Sequence, residues 1–212
     1  MTARIRLGVL ALAAAVAVVP ARPHAQDQAA LDARVQRFLD ERAGQWRDMN
    51  VPVVDGRTLH DLIVRHKYTR ALEIGTSTGH SAIWIAWALS KTGGKLVTLE
   101  IDPDRHKAAL ENFQEAGIAP FVDARLGNAH ELVKTLPGPF DFVFSDADKD
   151  WYTQYFKDVE PKLAPGACFT AHNVNHPGGP AAAFLEYVRK LPGYETTVEG
   201  SSEGVSISFK RR

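Results

Sequence analysis

The run Ala71-Leu72-Glu73-Ile74-Gly75-Thr76-Ser77-Thr78-Gly79-His80-Ser81 constrains the fold more than any other part of the chain. An apolar strand that ends beside an acid and passes through two glycines into a helix brings bare backbone and free amides against a ligand. It predicts a strand–loop–helix unit that holds a charged, nucleotide-like molecule. The same alternation continues downstream, with strands expected at Ala71–Ile74, Leu96–Leu99, Phe121–Leu126, Phe140–Phe144 and Ala167–Ala171 and amphipathic helices between them. Short apolar strands alternating with helices imply a parallel sheet covered on both faces. Tyr194–Glu199 and Val205–Phe209, parted by a short Gly- and Ser-rich turn, suit an antiparallel hairpin at the end of that sheet. The expected fold is therefore α/β, a mostly parallel seven-stranded sheet with helices on both faces and an antiparallel C-terminal hairpin. Upstream, Leu31, Val35, Phe38, Leu39 and Trp46 predict a helix over Gln28–Asp48, and a second is expected over Gly56–His66.

No repeat or linker divides this stretch, so residues 26–212 are read as one domain. Residues 1–25 are read separately. Arg4 and Arg6 precede the apolar run Leu7–Val19, then Pro20 and small residues, which is the layout of a secretory signal. Cleavage is expected after Ala21 or Ala25, leaving no stable membrane span and an exported domain, periplasmic or secreted; an unused signal would leave it cytoplasmic. With 25 basic and 25 acidic side chains and a formal charge of +0, no global field favours nucleic acid. A small, weakly charged or zwitterionic partner fits better, for a monomer or a homodimer. The lone Cys168 lies in an apolar run and reads as a buried structural thiol.

Three readings compete for the glycine loop. A dinucleotide fingerprint requires a glycine where Ser77 stands, so that pattern is absent. Gly75-Thr76-Ser77-Thr78-Gly79 also matches the elbow of an α/β serine hydrolase, and Asp146 or Asp148 followed by His172 or His176 would supply a triad in the usual order. That reading leaves Glu73 and Glu100 without a role. The S-adenosylmethionine (SAM) loop of a class I methyltransferase uses both. Glu73 closes the first strand, Gly75, Thr76, Ser77 and Gly79 pass beneath the ligand's amino-acid end, and Ser81 lies in the helix start. Glu100 closes the second strand, where an acid can accept both ribose hydroxyls. Asn128 and Ala129 open the helix after the third strand, placed to read an adenine amino group or simply to cap that helix. A noncatalytic SAM- or metabolite-binding protein remains a further alternative.

Leu72 to Ser81, Thr98-Leu99-Glu100-Ile101-Asp102-Pro103 and Phe140 to Asp150 closely resemble the metal-dependent small-molecule O-methyltransferases of the catechol and caffeoyl-CoA type. The resemblance runs from about Met49 to the C-terminus and implies a Rossmann-like class I methyltransferase fold and SAM-dependent methylation of a catechol-like or phenolic hydroxyl. It implies further that Asn50 and Val51 belong to a segment closing over the methionine moiety and that Lys149 is the general base. Asp146 and Asn173 match two metal positions, for Mg²⁺, Mn²⁺ or another divalent cation. His172 stands where the family has aspartate, which exchanges an anionic oxygen donor for a neutral nitrogen and weakens the case for Mg²⁺. His172 is then either a ligand to a softer cation or a base in a metal-free site. The short chain between Asn173 and the next helix implies an open acceptor pocket. Trp151 and Tyr152 are candidates for its wall or for packing, whereas Trp84 and Trp87 read as core.

Overall fold

The structure is a computed structural model and describes residues 25–211; all of the expected signal segment except Ala25 lies outside them. Seven strands form one sheet: β1 (Arg70–Ile74), β2 (Lys95–Glu100), β3 (Val122–Leu126), β4 (Phe140–Ser145), β5 (Leu163–His172), β6 (Tyr194–Glu199) and β7 (Val205–Lys210), in the spatial order β3-β2-β1-β4-β5-β7-β6. All pairings among β1 to β5 are parallel, and β7 joins β5 antiparallel before turning back from β6. Seven helices accompany it among the described residues: α1 (Ala25–Glu41), α2 (Val53–His66), α3 (His80–Thr92), α4 (Pro103–Ala116), α5 (Ala129–Thr135), α6 (Tyr152–Val159) and α7 (Pro180–Arg189).

The strand sequences explain the layering. Alternate side chains of a strand face opposite ways, so Ala71, Phe142, Phe144, Cys168 and Ile207 enter one buried cluster with α1 to α4. Leu72, Ile74, Val143, Phe169 and Ala171 enter a second with α5 to α7. Strands buried on both faces carry nearly continuous apolar runs, as parallel sheets require. The edge strand β6 instead alternates half-buried and exposed positions.

Several boundaries differ from expectation, three of them for an evident reason. The first helix ends at Glu41 rather than Asp48, because Gly44 turns the chain in the left-handed region (φ 73°). Trp46 is thereby carried off the helix to stack on His80, with ring centroids 4.4 Å apart. The second helix starts earlier, at Val53, behind Pro52, whose fixed φ suits a helix start. Finally, β5 is longer than the run 167–171, since its first residues pair with Phe140 across a register shift.

The order of strands reverses direction between β1 and β4, which are neighbours although two βα units separate them in sequence. At such a switch point the loops leaving the two strands run apart and open a crevice beyond the carboxyl ends. Glu73, Glu100, Asp146 and His172 all lie at or just beyond those ends.

Candidate active site

Each loop around the crevice is held by backbone rather than by chance contact. The amides of Gly75 and Thr76 both donate to the Leu99 carbonyl at 3.1 Å, and the Asp146 amide donates to the Ile74 carbonyl at 2.9 Å, so the loops after β1 and β4 lie against one another. Gly75 has φ 103°, and a Cβ there would stand 2.9 Å from the Asp146 carbonyl and the Ala147 nitrogen. Only glycine meets both demands. Gly79 begins α3, with the Phe113 ring in the space a side chain would need.

Glu100 is nearly buried and takes three backbone donors: Ser77 N at 2.7 Å on one oxygen, and Ile101 N and Asp102 N at 3.0 Å on the other. The carboxylate is thus fixed at the end of β2; Oε1 already holds two donors, while Oε2, with one, keeps lone-pair capacity for a hydroxyl donor. Glu73 is fully buried; one oxygen accepts from Thr98 and the other, Oε1, has no partner. Burial pushes its carboxyl up to about 8, against the opposing pull of the Ser81 and Thr98 hydroxyls. A buried acid with an idle oxygen awaits a cation or donor. Ser77 Oγ is likewise buried without a partner. These orphaned groups, the fixed Glu100 and the bare Gly75 backbone fit the amino-acid and ribose ends of SAM.

A cavity of about 380 Å³ lies over them, lined by Gly75, Ser77, Glu100, Asn128, Ala129 and Asp146 among the expected residues. Asn128 caps α5 through its oxygen, which accepts from His130 N at 2.9 Å, and also borders this cavity. Glu73, Thr76, Gly79, Ser81 and Val51 support the loop from beneath instead of lining it; the Val51 carbonyl faces His80 Nδ1 at 2.9 Å. Burial drives His80 down to about 4, and its Nε2 accepts from Trp84. Ile101, Arg105, His130 and Tyr155 also line the cavity and were not singled out in the sequence. An apolar residue directly after the Glu100 acid was the available signal for Ile101; His130, stacked on Trp151 at 3.7 Å, offered none.

A second cavity of about 450 Å³ adjoins the first, lined by Asn50, His172, Asn173, His176 and the start of α7. Met49, Asp146 and Lys149 border both. Asn50 reaches across to the Thr78 hydroxyl at 3.0 Å, and Asp48 pairs with Arg105 in a bidentate contact, so residues 48–50 are strapped over the crevice. Met49 between them is 67% exposed. Lys149 Nζ donates to Asp146 Oδ1 at 3.0 Å, and the Tyr152 hydroxyl, otherwise buried, reaches the same oxygen at 3.4 Å. Tyr152 therefore packs and positions, while Trp151 stacks on His130. Trp84 and Trp87 are core residues, and Cys168 is buried, as expected.

The expected metal positions are committed elsewhere. His172 Nδ1 faces Asp146 Oδ2 at 3.2 Å, and its Nε2 faces Asp55 Oδ2 at 2.9 Å. Burial lowers the imidazole's proton affinity, but the two carboxylates outweigh it and the net shift is upward. The Asn173 amide, on a residue at φ 58°, donates to Glu203 at 3.1 Å, beside the His176–Glu203 pair. Among the described residues no three His, Cys, Asp or Glu side chains are grouped to hold an ion. Asp146, His172 and Asn173 as arranged do not fit a divalent cation.

Nor is there a triad among the described residues. Ser77 has φ 49°, as an elbow would, but its Oγ meets no histidine, and both nitrogens of His172 are taken.

The comparisons agree with this geometry. The O-methyltransferase family model matches residues 24–182. The catechol O-methyltransferase of Niastella koreensis is 42% identical over 111 residues, covering 50% of this chain and 50% of that protein. A caffeoyl-CoA O-methyltransferase of Eucalyptus globulus is 31% identical over 153 residues, 68% of this chain and 62% of the relative. The chain thus spans about half the length of the first curated relatives it matches. The O-methyltransferase from Bacillus cereus, solved in complex with S-adenosylhomocysteine (SAH), superposes with a TM-score of 0.72 at 27% identity over 88% of this chain and 97% of that one. The fold is the Rossmann-like class I methyltransferase fold, and the chain belongs to the O-methyltransferase family.

Proposed function

We propose that this protein transfers the methyl group of SAM to a hydroxyl of a small, catechol-like or phenolic acceptor. The observation that carries the reading is the meeting of two cavities at Asp146 and Lys149: one is floored by groups suited to SAM, and the other is large enough for a single substituted ring. The family, the named relatives and the SAH-bound neighbour support it.

SAM, when bound, supplies an electrophilic methyl on a positively charged sulfur, so transfer is an in-line displacement governed by alignment. The residues of this chain provide that alignment. Glu73, sealed beneath the loop, would act on the ligand's ammonium as a buried charge across the loop, and Glu100 Oε2 would accept from a ribose hydroxyl; Asn128 stands where the adenine edge would fall. Met49 and Asn50 close the crevice between the two occupants. Lys149 stands at the junction; its ammonium loses a proton to solvent before the reaction, the neutral amine then receives the acceptor's hydroxyl proton, and Asp146 pairs with the ammonium that re-forms. Residues 1–25 carry a further part of the reading, that the protein acts outside the cytoplasm; antibody detection in the periplasmic or secreted fraction, with a shortened chain, tests it.

The primary test is calorimetric titration with SAH on wild type and Glu100→Ala, together with mass-spectrometric detection of a methylated catechol or simple phenol. Wild-type binding that the variant weakens by about 100-fold, with product formed, is expected, since a buried charged hydrogen-bonding site is lost. A folded wild type that ignores SAH sinks the proposal.

A further inference from the structure

Asp55 has no expected role, yet it is among the most tightly held acids in the molecule. It lies in the first turn of α2, fully buried, and accepts from Ser201 N at 2.6 Å, Ser201 Oγ at 2.7 Å and His172 Nε2 at 2.9 Å. Three elements converge there: α2, the end of β5 and the turn between β6 and β7. Gly200 must be glycine for the turn to come so close, since a Cβ would stand 2.3 Å from Asp55 Oδ1. On its far side, His172 faces Asp146 Oδ2 at 3.2 Å. With a carboxylate oxygen at hydrogen-bond distance from each nitrogen, the ring is clamped between two side chains of the protein rather than presented to the cavity. The chain Ser201–Asp55–His172–Asp146 therefore ends on the carboxylate that borders both cavities.

In a site built around a divalent cation, the ion both fixes its carboxylate ligand and places positive charge beside the acceptor oxygens. We propose that here the Asp55–His172 pair takes the first of these duties: it holds Asp146 from behind, transfer proceeds without a bound divalent cation, and Asp55 is a positioning residue for the reaction. The inference rests on the methyltransferase reading for its consequence, though not for its geometry. Two features support it beyond the committed nitrogens of His172: Asn173 is turned to Glu203, and Asp146 already has Lys149 and Tyr152 on its other oxygen.

The test is Mn²⁺ binding to the purified full chain, read from the free-ion electron paramagnetic resonance signal with SAH present. Wild type should leave Mn²⁺ free up to about 1 mM, the weak end of protein sites for hard cations. His172→Asp, which returns an anionic oxygen donor beside Asp146, should bind Mn²⁺ at least about tenfold more tightly. A stoichiometric wild-type site that Asp146→Asn removes, or equal affinities of wild type and His172→Asp, overturns the proposal. Asp55→Asn, which keeps the shape of the side chain, gives an independent reading if His172→Asp melts early. It should lower kcat by about 10-fold or more, leaving SAH affinity and the KM for SAM unchanged; loss of SAH affinity would mark Asp55 as merely structural and defeat the claim. Wild-type turnover abolished by EDTA and restored by Mg²⁺ would defeat it as well. Because Mn²⁺ binding needs no turnover, and SAH binding is measured separately, a failure of the methyltransferase reading is distinguishable from a failure of this one.

Discussion

Glu73 makes the cofactor site sensitive to pH in a calculable direction. Its carboxyl is raised from 4.5 to about 8 by burial, and its Oε1 has no partner in the protein. At pH 7 a group with that affinity is roughly 90% protonated in the free protein. A ligand ammonium bound in the cavity above Glu73 favours the charged form through the low-dielectric loop and draws the pKa back toward the ordinary carboxylate range. Binding of SAH then expels close to one proton, and affinity climbs nearly tenfold per pH unit between about pH 5.5 and 7.5, near 100-fold over the interval. The sign for the free protein is opposite. The folded acid keeps a proton that the unfolded chain loses above 4.5, so stability without ligand falls as pH rises from there toward 8. The assay is calorimetric titration with SAH in buffers of different ionisation enthalpy, run on wild type and Glu73→Gln. The glutamine copies the neutral acid and should bind more weakly, with no proton release. Affinity independent of pH and buffer in wild type, or an unchanged slope in Glu73→Gln, would refute the reasoning.

Other expectations can be checked together. Lys149→Ala should lower turnover by at least about 100-fold while SAH affinity stays close to wild type; a matching loss of affinity in the titration would mean Lys149 is part of the cofactor site instead. Gly75→Ala should destabilise by about 2 kcal/mol or more, because its Cβ meets Asp146 and Ala147 backbone at φ 103°; an unchanged melting temperature would show that the loop yields freely. Ser77→Ala should leave methyl transfer within severalfold of wild type, and an ester-hydrolysis assay that detected activity in wild type and lost it here would revive the elbow reading.

The strand–loop–helix core was legible because its signals are local. Ala71 to Ser81, the acid at Glu100 and the Asn128 cap each declare their place within a few residues, and the structure puts Gly75, Ser77, Glu100 and Asn128 on one cavity wall. Helix ends were less legible, since a single glycine at position 44 outweighed the apolar spacing that continued to Trp46. The partners of His172 could not be read at all. Asp55 lies 117 residues away, in a segment whose composition says only that a helix starts there, and a histidine's two nitrogens carry no sequence mark of what they will face. The metal reading was therefore inherited from resemblance, and the side-chain geometry does not reproduce it.

The span of those contacts also divides the site between two parts of the chain. The cofactor cavity draws on Gly75 through Tyr155, apart from Met49, and takes nothing from β5 onward. The Asp55 cluster depends on Ser201, 146 residues further along, at the tip of the last hairpin. A change confined to that last turn therefore reaches the contacts behind Asp146 without touching any residue that lines the cofactor cavity.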